Sequence, residues 1–97
     1  VITGAARGIG AEVGWGLAAE GWSLLLIDAC GGQPGVEYAM PLPADLDRVA
    51  ERCLNAGAPA AEVLQANVAA EDFGERVSAA LAGRAAGAVV AAAGVIA

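Results

Sequence analysis

Ile9, Val13 and Leu17 recur every fourth residue between Gly8 and Glu20, the spacing that lines one face of a helix, and Gly21 stands where a helix stop belongs. Two glycines inside this segment, Gly14 and Gly16, weaken a helix, so they are expected to mark places where a neighbouring element comes close. Residues 22–27 then form a nearly unbroken apolar run closed by Asp28, the pattern of a strand covered on both faces, as in a parallel sheet. Before them, Val1, Ile2 and Thr3 are the tail of a strand that runs into Gly4.

Further along, residues 44–55 place Leu46, Val49, Ala50, Cys53 and Leu54 at helical spacing, with Asp45 and Asp47 in the first turn and Gly57 just past the end. A modest strand over 61–66 follows. Phe73, Val77 and Leu81 predict a third helix over 71–81, and residues 88–92 return to strand. Residues 29–43 mix glycine and proline with both polar and apolar side chains and are expected to be the one long irregular loop. Strands that alternate with helices in this way build a parallel sheet with helices on its faces.

Composition narrows what such a unit can do. The chain has 97 residues, of which 58% are hydrophobic, enough for one compact unit and no more. Its net charge of −6 repels phosphate backbones and anionic lipid heads, so neither nucleic acid nor a membrane surface is an expected partner. The longest apolar stretch, residues 85–97, is shorter than the ~20 residues of a spanning helix, and the expected location is cytoplasmic. Two cysteines without any histidine make neither a disulfide framework nor a Cys/His zinc site, and they exclude Ser-His-Asp and Cys-His chemistry among these residues. The acidic residues of the helices are expected to be solvated faces, not a metal site.

The candidate chemistry lies between the first strand and the first helix. Thr3-Gly4-Ala5-Ala6-Arg7-Gly8-Ile9-Gly10 spaces its glycines as G-x-x-x-G-x-G. A phosphate needs bare amides with no side chain in the way, and the first turn of a helix offers unpaired N–H groups with a partial positive charge. A glycine-rich turn can equally serve tight packing of strand against helix. Asp28 lies about 20 residues further on, at the end of the next strand, where a carboxylate can accept both hydroxyls of an adenosine ribose. A strand-end aspartate in an ordinary turn is the plainer alternative.

Taken together, Gly4 through Gly10, Asp28, Asn67-Val68 and the run Val90-Ala91-Ala92-Ala93-Gly94-Val95 resemble the short-chain dehydrogenase/reductase superfamily over nearly the whole chain. The Asp28-Ala29-Cys30 strand end, the loop after it and the Ala-Ala-Ala-Gly run are most similar to the mycofactocin-coupled subgroup. The resemblance implies an α/β fold, a Rossmann-like doubly wound parallel sheet of which only the amino-terminal half is present, with about four strands and three helices. Residues 1–97 are then expected to be a partial NAD(P)-binding domain truncated at both ends, the strand order being 3-2-1-4.

By the same resemblance, Gly4, Arg7, Gly8, Ile9 and Gly10 line the diphosphate and adenosine ribose, and Asp28 binds the ribose diol. Asn67 and Val68 flank adenine, while Ala91, Ala93 and Gly94 pass under the nicotinamide ribose. Asp28 repels a 2′-phosphate, which favours NAD over NADP. Arg7 is either a counterweight able to pair with a 2′-phosphate or a solvated surface residue.

The chain also departs from the family pattern. Ala91-Ala92-Ala93-Gly94 stands where Asn-Asn-Ala-Gly is usual, Asn67 replaces an aspartate, and Glu12 occupies what is expected to be the first helical turn. Asn67 can still accept a hydrogen bond from the adenine amino group, and Glu12 is expected to sit at the surface. The family's catalytic serine and Tyr-x-x-x-Lys are absent, and Tyr38 has no lysine to lower its pKa, so no catalytic residue is assigned. Trp15, Trp22 and Cys30 are read as packing residues.

The implied activity is NAD(P)-dependent oxidation or reduction of an alcohol/carbonyl pair, with a small-molecule alcohol or carbonyl substrate, mycofactocin as a candidate redox partner and a homo-oligomeric full-length protein. A non-catalytic nucleotide-binding regulator and an inactive truncated product remain compatible with the residues.

Overall fold

The computed structural model describes residues 1–6, 8–29, 43–84, 87 and 89–91. Among them run β1 (Ile2–Thr3), α1 (Gly8–Ala19), β2 (Leu24–Asp28), α2 (Pro43–Ala56), β3 (Ala61–Gln65), α3 (Phe73–Leu81) and β4 (Val90–Ala91). The strands form one parallel sheet in the order β3-β2-β1-β4, with Ile2 opposite Leu26 and Val90, and Leu26 opposite Val63. This is the Rossmann-like α/β arrangement and the strand order expected above. No described helix is long and apolar enough to cross a membrane.

The apolar run of β2 divides by strand alternation. Leu24 and Leu26 join Ile2, Ala11, Ala18, Leu46, Val49, Ala50 and Cys53 in the core shared with α1 and α2. Leu25 and Ile27 point the other way, to Ala66 and to Leu64, Phe73, Val77 and Leu81 beneath α3. Leu26, Ile27 and Ile2 are fully buried, each worth about 1.5–3 kcal/mol relative to exposure. A continuous hydrophobic strand is therefore needed at the centre, whereas β3 at the sheet edge leaves Val63 41% exposed.

Helix α1 does not bury the stripe its large apolar residues predict. Ile9 is 75% exposed and Val13 and Leu17 are only partly buried; the buried face is Gly10, Ala11, Gly14 and Ala18. Small residues win because they let the helix backbone lie close to its neighbours. A Cβ on Gly14 would meet Ile2, Leu26 and Cys53 at 3.6 Å each, an ordinary contact, so the core reaches this position but leaves room for a methyl group. The close approach expected at Gly16 is absent, since a Cβ there would meet nothing within 4 Å.

In α2 the expected Leu46, Val49, Ala50 and Cys53 are buried, but Leu54 is 48% exposed on the flank. Helix α3 begins at Phe73, two residues after the expected start, because residues 68–72 are used in turns, with Ala70 N–H donating to Asn67 O and Phe73 N–H to Ala70 O. It ends at Ala82, whose φ of 52° puts it in the left-handed region. The loop expected over 29–43 lies mostly outside the described residues, as do Cys30, Tyr38, Ala88 and Ala92.

Candidate functional site

The carboxyl ends of the parallel strands meet along one edge of the sheet, where the turn from β1 into α1 crosses the end of β2. Gly4 has φ 68° and Gly8 φ 66°, in the left-handed region that side chains disfavour. Gly10 is needed for a different reason. A Cβ there would run into the carbonyl of Gly4, its oxygen first and its carbon at 2.8 Å, and would come within 3.3 Å of Ala5 Cα. The glycine spacing thus lets the turn fold back onto the first turn of the helix.

Two hydrogen bonds tie this turn to β2. Ala5 N–H donates to Ile27 O at 3.0 Å, and Ala6 N–H donates to Asp28 Oδ2 at 3.1 Å. Asp28 is half-buried at the last position of β2, so its carboxylate sits beside the glycine turn as the spacing implied. An ionised carboxylate offers about four acceptor sites, enough to hold the turn and to bind a sugar diol.

The mouth of α1 is electrostatically suited to an anion. Its first turn holds no acidic residue, because Glu12 lies one position beyond that turn, which corrects the expected placement, and it is exposed. Gly8 and Ile9 are exposed, and a Cβ on Gly8 would meet no atom within 4 Å. A negatively charged group there gains from the helix dipole and from amides that have no partner in the helix. Space at Gly8 and the helix dipole together leave this turn able to receive an anionic group.

At the end of β3, Ala66 N–H donates to Asp28 O at 3.0 Å, which brings Asn67 and Val68 to the same edge, both exposed. Asn67 Oδ1 already accepts the N–H of Ala69 at 2.9 Å, a local turn that its residue type favours. Its first role is to shape the chain after β3, a role not anticipated from the sequence. On the other side, Ala91 ends β4 opposite Thr3. The Thr3 hydroxyl, in a residue only 7% exposed, lies 3.5 Å from Val90 O, and Val90 N–H donates to Val1 O at 2.8 Å. Arg7, Ala93 and Gly94 lie outside the described residues.

Gln65 and Arg76 had no part in the sequence reading of the site, and Ala5 and Ala6 stood in its glycine motif without an assigned role. Backbone amides of alanine leave no signal in a sequence. Gln65 could have been found by register, since it lies opposite Asp28. Its Nε2 donates to Ala29 O at 3.3 Å, and its own carbonyl accepts Arg76 Nη2 at 2.8 Å. Among the described residues no cluster of Cys, Asp or Glu is placed to hold a metal ion.

No protein-family model matches the chain, and neither does any curated protein. Solved structures do. Carveol dehydrogenase from Mycobacterium avium, crystallised in complex with NAD, superposes with a TM-score of 0.76 at 29% identity over 84% of this chain and 29% of that one. A short chain dehydrogenase from Mycobacterium paratuberculosis, bound to NAD, superposes with a TM-score of 0.85 at 32% identity over 99% of this chain and 36% of that one. The chain thus spans about a third of the length of these dehydrogenases. Its likeness to them supports a place in the short-chain dehydrogenase/reductase superfamily.

Proposed function

We propose that this chain is the dinucleotide-binding part of an NAD-dependent oxidoreductase of the short-chain dehydrogenase/reductase superfamily, acting on an alcohol/carbonyl pair. The observation that carries the reading is the junction of the glycine turn with Asp28. The 3.1 Å bond from Ala6 N–H to Asp28 Oδ2 fixes a carboxylate beside an open helix mouth that has no acidic residue in its first turn. The two NAD-bound dehydrogenases that the chain resembles add support.

In this reading the amides around Gly4, Gly8, Ile9 and Gly10 hold the diphosphate together with Arg7, and Asp28 accepts the ribose hydroxyls. Asn67 and Val68 lie along adenine, while Ala91, Ala93 and Gly94 line the nicotinamide ribose. NAD, when bound, supplies the hydride acceptor. The negative charge of Asp28 disfavours a 2′-phosphate, hence NAD over NADP. Residues 1–97 are then one part of a nucleotide-binding domain, with the proton-transfer groups and substrate pocket supplied by residues outside them. Coupling to mycofactocin rests on the sequence likeness of residues 28–43 and 91–94 alone.

Calorimetric titration of the protein with NADH and with ADP-ribose tests the assignment. Saturable binding of both, with weaker binding of NADPH, is expected. Absence of heat with either ligand overturns it.

A further inference from the structure

We infer that Gln65 and Arg76 are positioning residues that hold the adenosine end of the site in its binding geometry, an inference that rests on the dinucleotide reading above. Gln65 lies opposite Asp28 in the parallel ladder, so the two side chains emerge on the same face of the sheet. Asp28 turns toward the glycine turn through Ala6 N–H, while Gln65 reaches over the end of β2 and donates to the carbonyl of Ala29. The chain leaving the ribose carboxylate is thereby held from the neighbouring strand.

The backbone of Gln65 explains the part of Arg76. Leu24 N–H bonds to Ala60 O and Ala66 N–H to Asp28 O, so the even-numbered residues of this stretch face β2. The carbonyl of Gln65 therefore points to the outer edge of the sheet, beyond the reach of any strand in the described order. Arg76, from the first turns of α3, donates to it at 2.8 Å. This bond fixes the last residue of β3 immediately before Ala66, whose N–H closes the ladder on Asp28, and before Asn67, whose side chain orders the next turn. Helix α3, Gln65 and Ala29 form one chain of hydrogen bonds that ends beside Asp28.

Both side chains are exposed, so removing them leaves the core intact and acts on the order of the strand ends. Gln65→Ala and Arg76→Ala are each expected to weaken ADP-ribose and NADH binding about three- to tenfold, the loss of about one hydrogen bond. Because the two residues act in series, the double variant should lose little more than either alone. The NADH to NADPH preference should stay unchanged, since the charge at Asp28 is untouched, and binding of reduced nicotinamide mononucleotide should not change. Arg76→Lys, which retains a donor, should recover part of the loss.

Equal affinities of wild type and both alanine variants for ADP-ribose overturn the inference while leaving the dinucleotide reading in place, as does a loss spread equally over the mononucleotide. If wild-type protein binds neither NADH nor ADP-ribose, the dinucleotide reading itself fails.

Discussion

The backbone N–H of Ala6 donates to Asp28 Oδ2 at 3.1 Å, joining residues 22 apart in sequence at the meeting point of the glycine turn and β2. Under the proposed dinucleotide reading Asp28 has two separable duties: its oxygen anchors the turn, and its charge selects the sugar. Asp28→Asn keeps an acceptor for Ala6 and removes the charge, whereas Asp28→Ala removes both. Asp28→Ala is expected to lower stability by about 1 kcal/mol and NADH affinity at least about tenfold. Asp28→Asn should hold its stability while NADPH gains on NADH. Denaturant unfolding combined with titration of the two cofactors separates the effects, and an unchanged cofactor ratio in Asp28→Asn would count against a ribose-facing carboxylate.

Three glycines of α1 should respond differently to the same substitution. At Gly10 a methyl group meets the backbone of Gly4 and Ala5, which cannot step aside, so Gly10→Ala should cost about 1–3 kcal/mol and weaken NADH binding. At Gly14 the nearest atoms are side-chain ends at 3.6 Å, an ordinary contact, and at Gly16 there is open space. Gly14→Ala and Gly16→Ala are expected to gain about 0.5–1 kcal/mol each from helix propensity, with cofactor affinity retained. Urea unfolding of the three variants reads the sign of each change.

The contrast at α1 marks what the sequence could and could not disclose. Element order and the two-faced burial of β2 follow from apolar runs and glycine stops, because a central strand must be hydrophobic throughout, whereas the strand order was expected from the family resemblance and not from the pattern. The buried face of α1 was not legible from large apolar residues, since this helix packs through Gly10, Ala11, Gly14 and Ala18, where side chains are small or absent. The site divides similarly. Glycine spacing and Asp28 are visible in one dimension, but the partner of Asp28 is a peptide amide that any residue except proline carries. Asn67 was read toward a ligand, yet its oxygen is first engaged by the Ala69 amide two residues on. Local turn chemistry takes precedence there because it requires no ligand.

Trp15 packs against the core, and the guanidinium of Arg52 lies 4.1 Å from the centroid of its ring. This pairing joins α1 to α2 across their outer flank. Arg52→Gln should cost about 0.5–1 kcal/mol, the range of a partly exposed cation–π contact, and should alter Trp15 emission. The fluorescence measurement is best made in a Trp22→Phe background, which leaves Trp15 as the sole indole. An unchanged spectrum together with unchanged stability would show that the stacking contributes nothing in solution.

Cys53 offers a pH-dependent readout of the α1–α2 core. Its side chain is fully buried beside Ile2, Leu26 and Gly14, and burial pushes its thiol pKa up, with Arg52 pulling weakly in the opposite direction. A raised folded pKa means that the native state keeps its proton where the unfolded chain has lost it. Native protein then binds more protons than unfolded protein, and the slope of unfolding free energy against pH is negative. The contribution of Cys53 is complete below the unfolded thiol value of about 8.5 and declines as pH rises from there through the higher folded pKa. Stability measured by urea unfolding should therefore fall more steeply above that pH in the protein than in Cys53→Ala. In a Cys30→Ser background, labelling by a thiol reagent near neutral pH should be slow and should accelerate with denaturant, because the thiolate forms only once the core opens. Rapid labelling of the native protein would mean that the helices do not close over this sulfur.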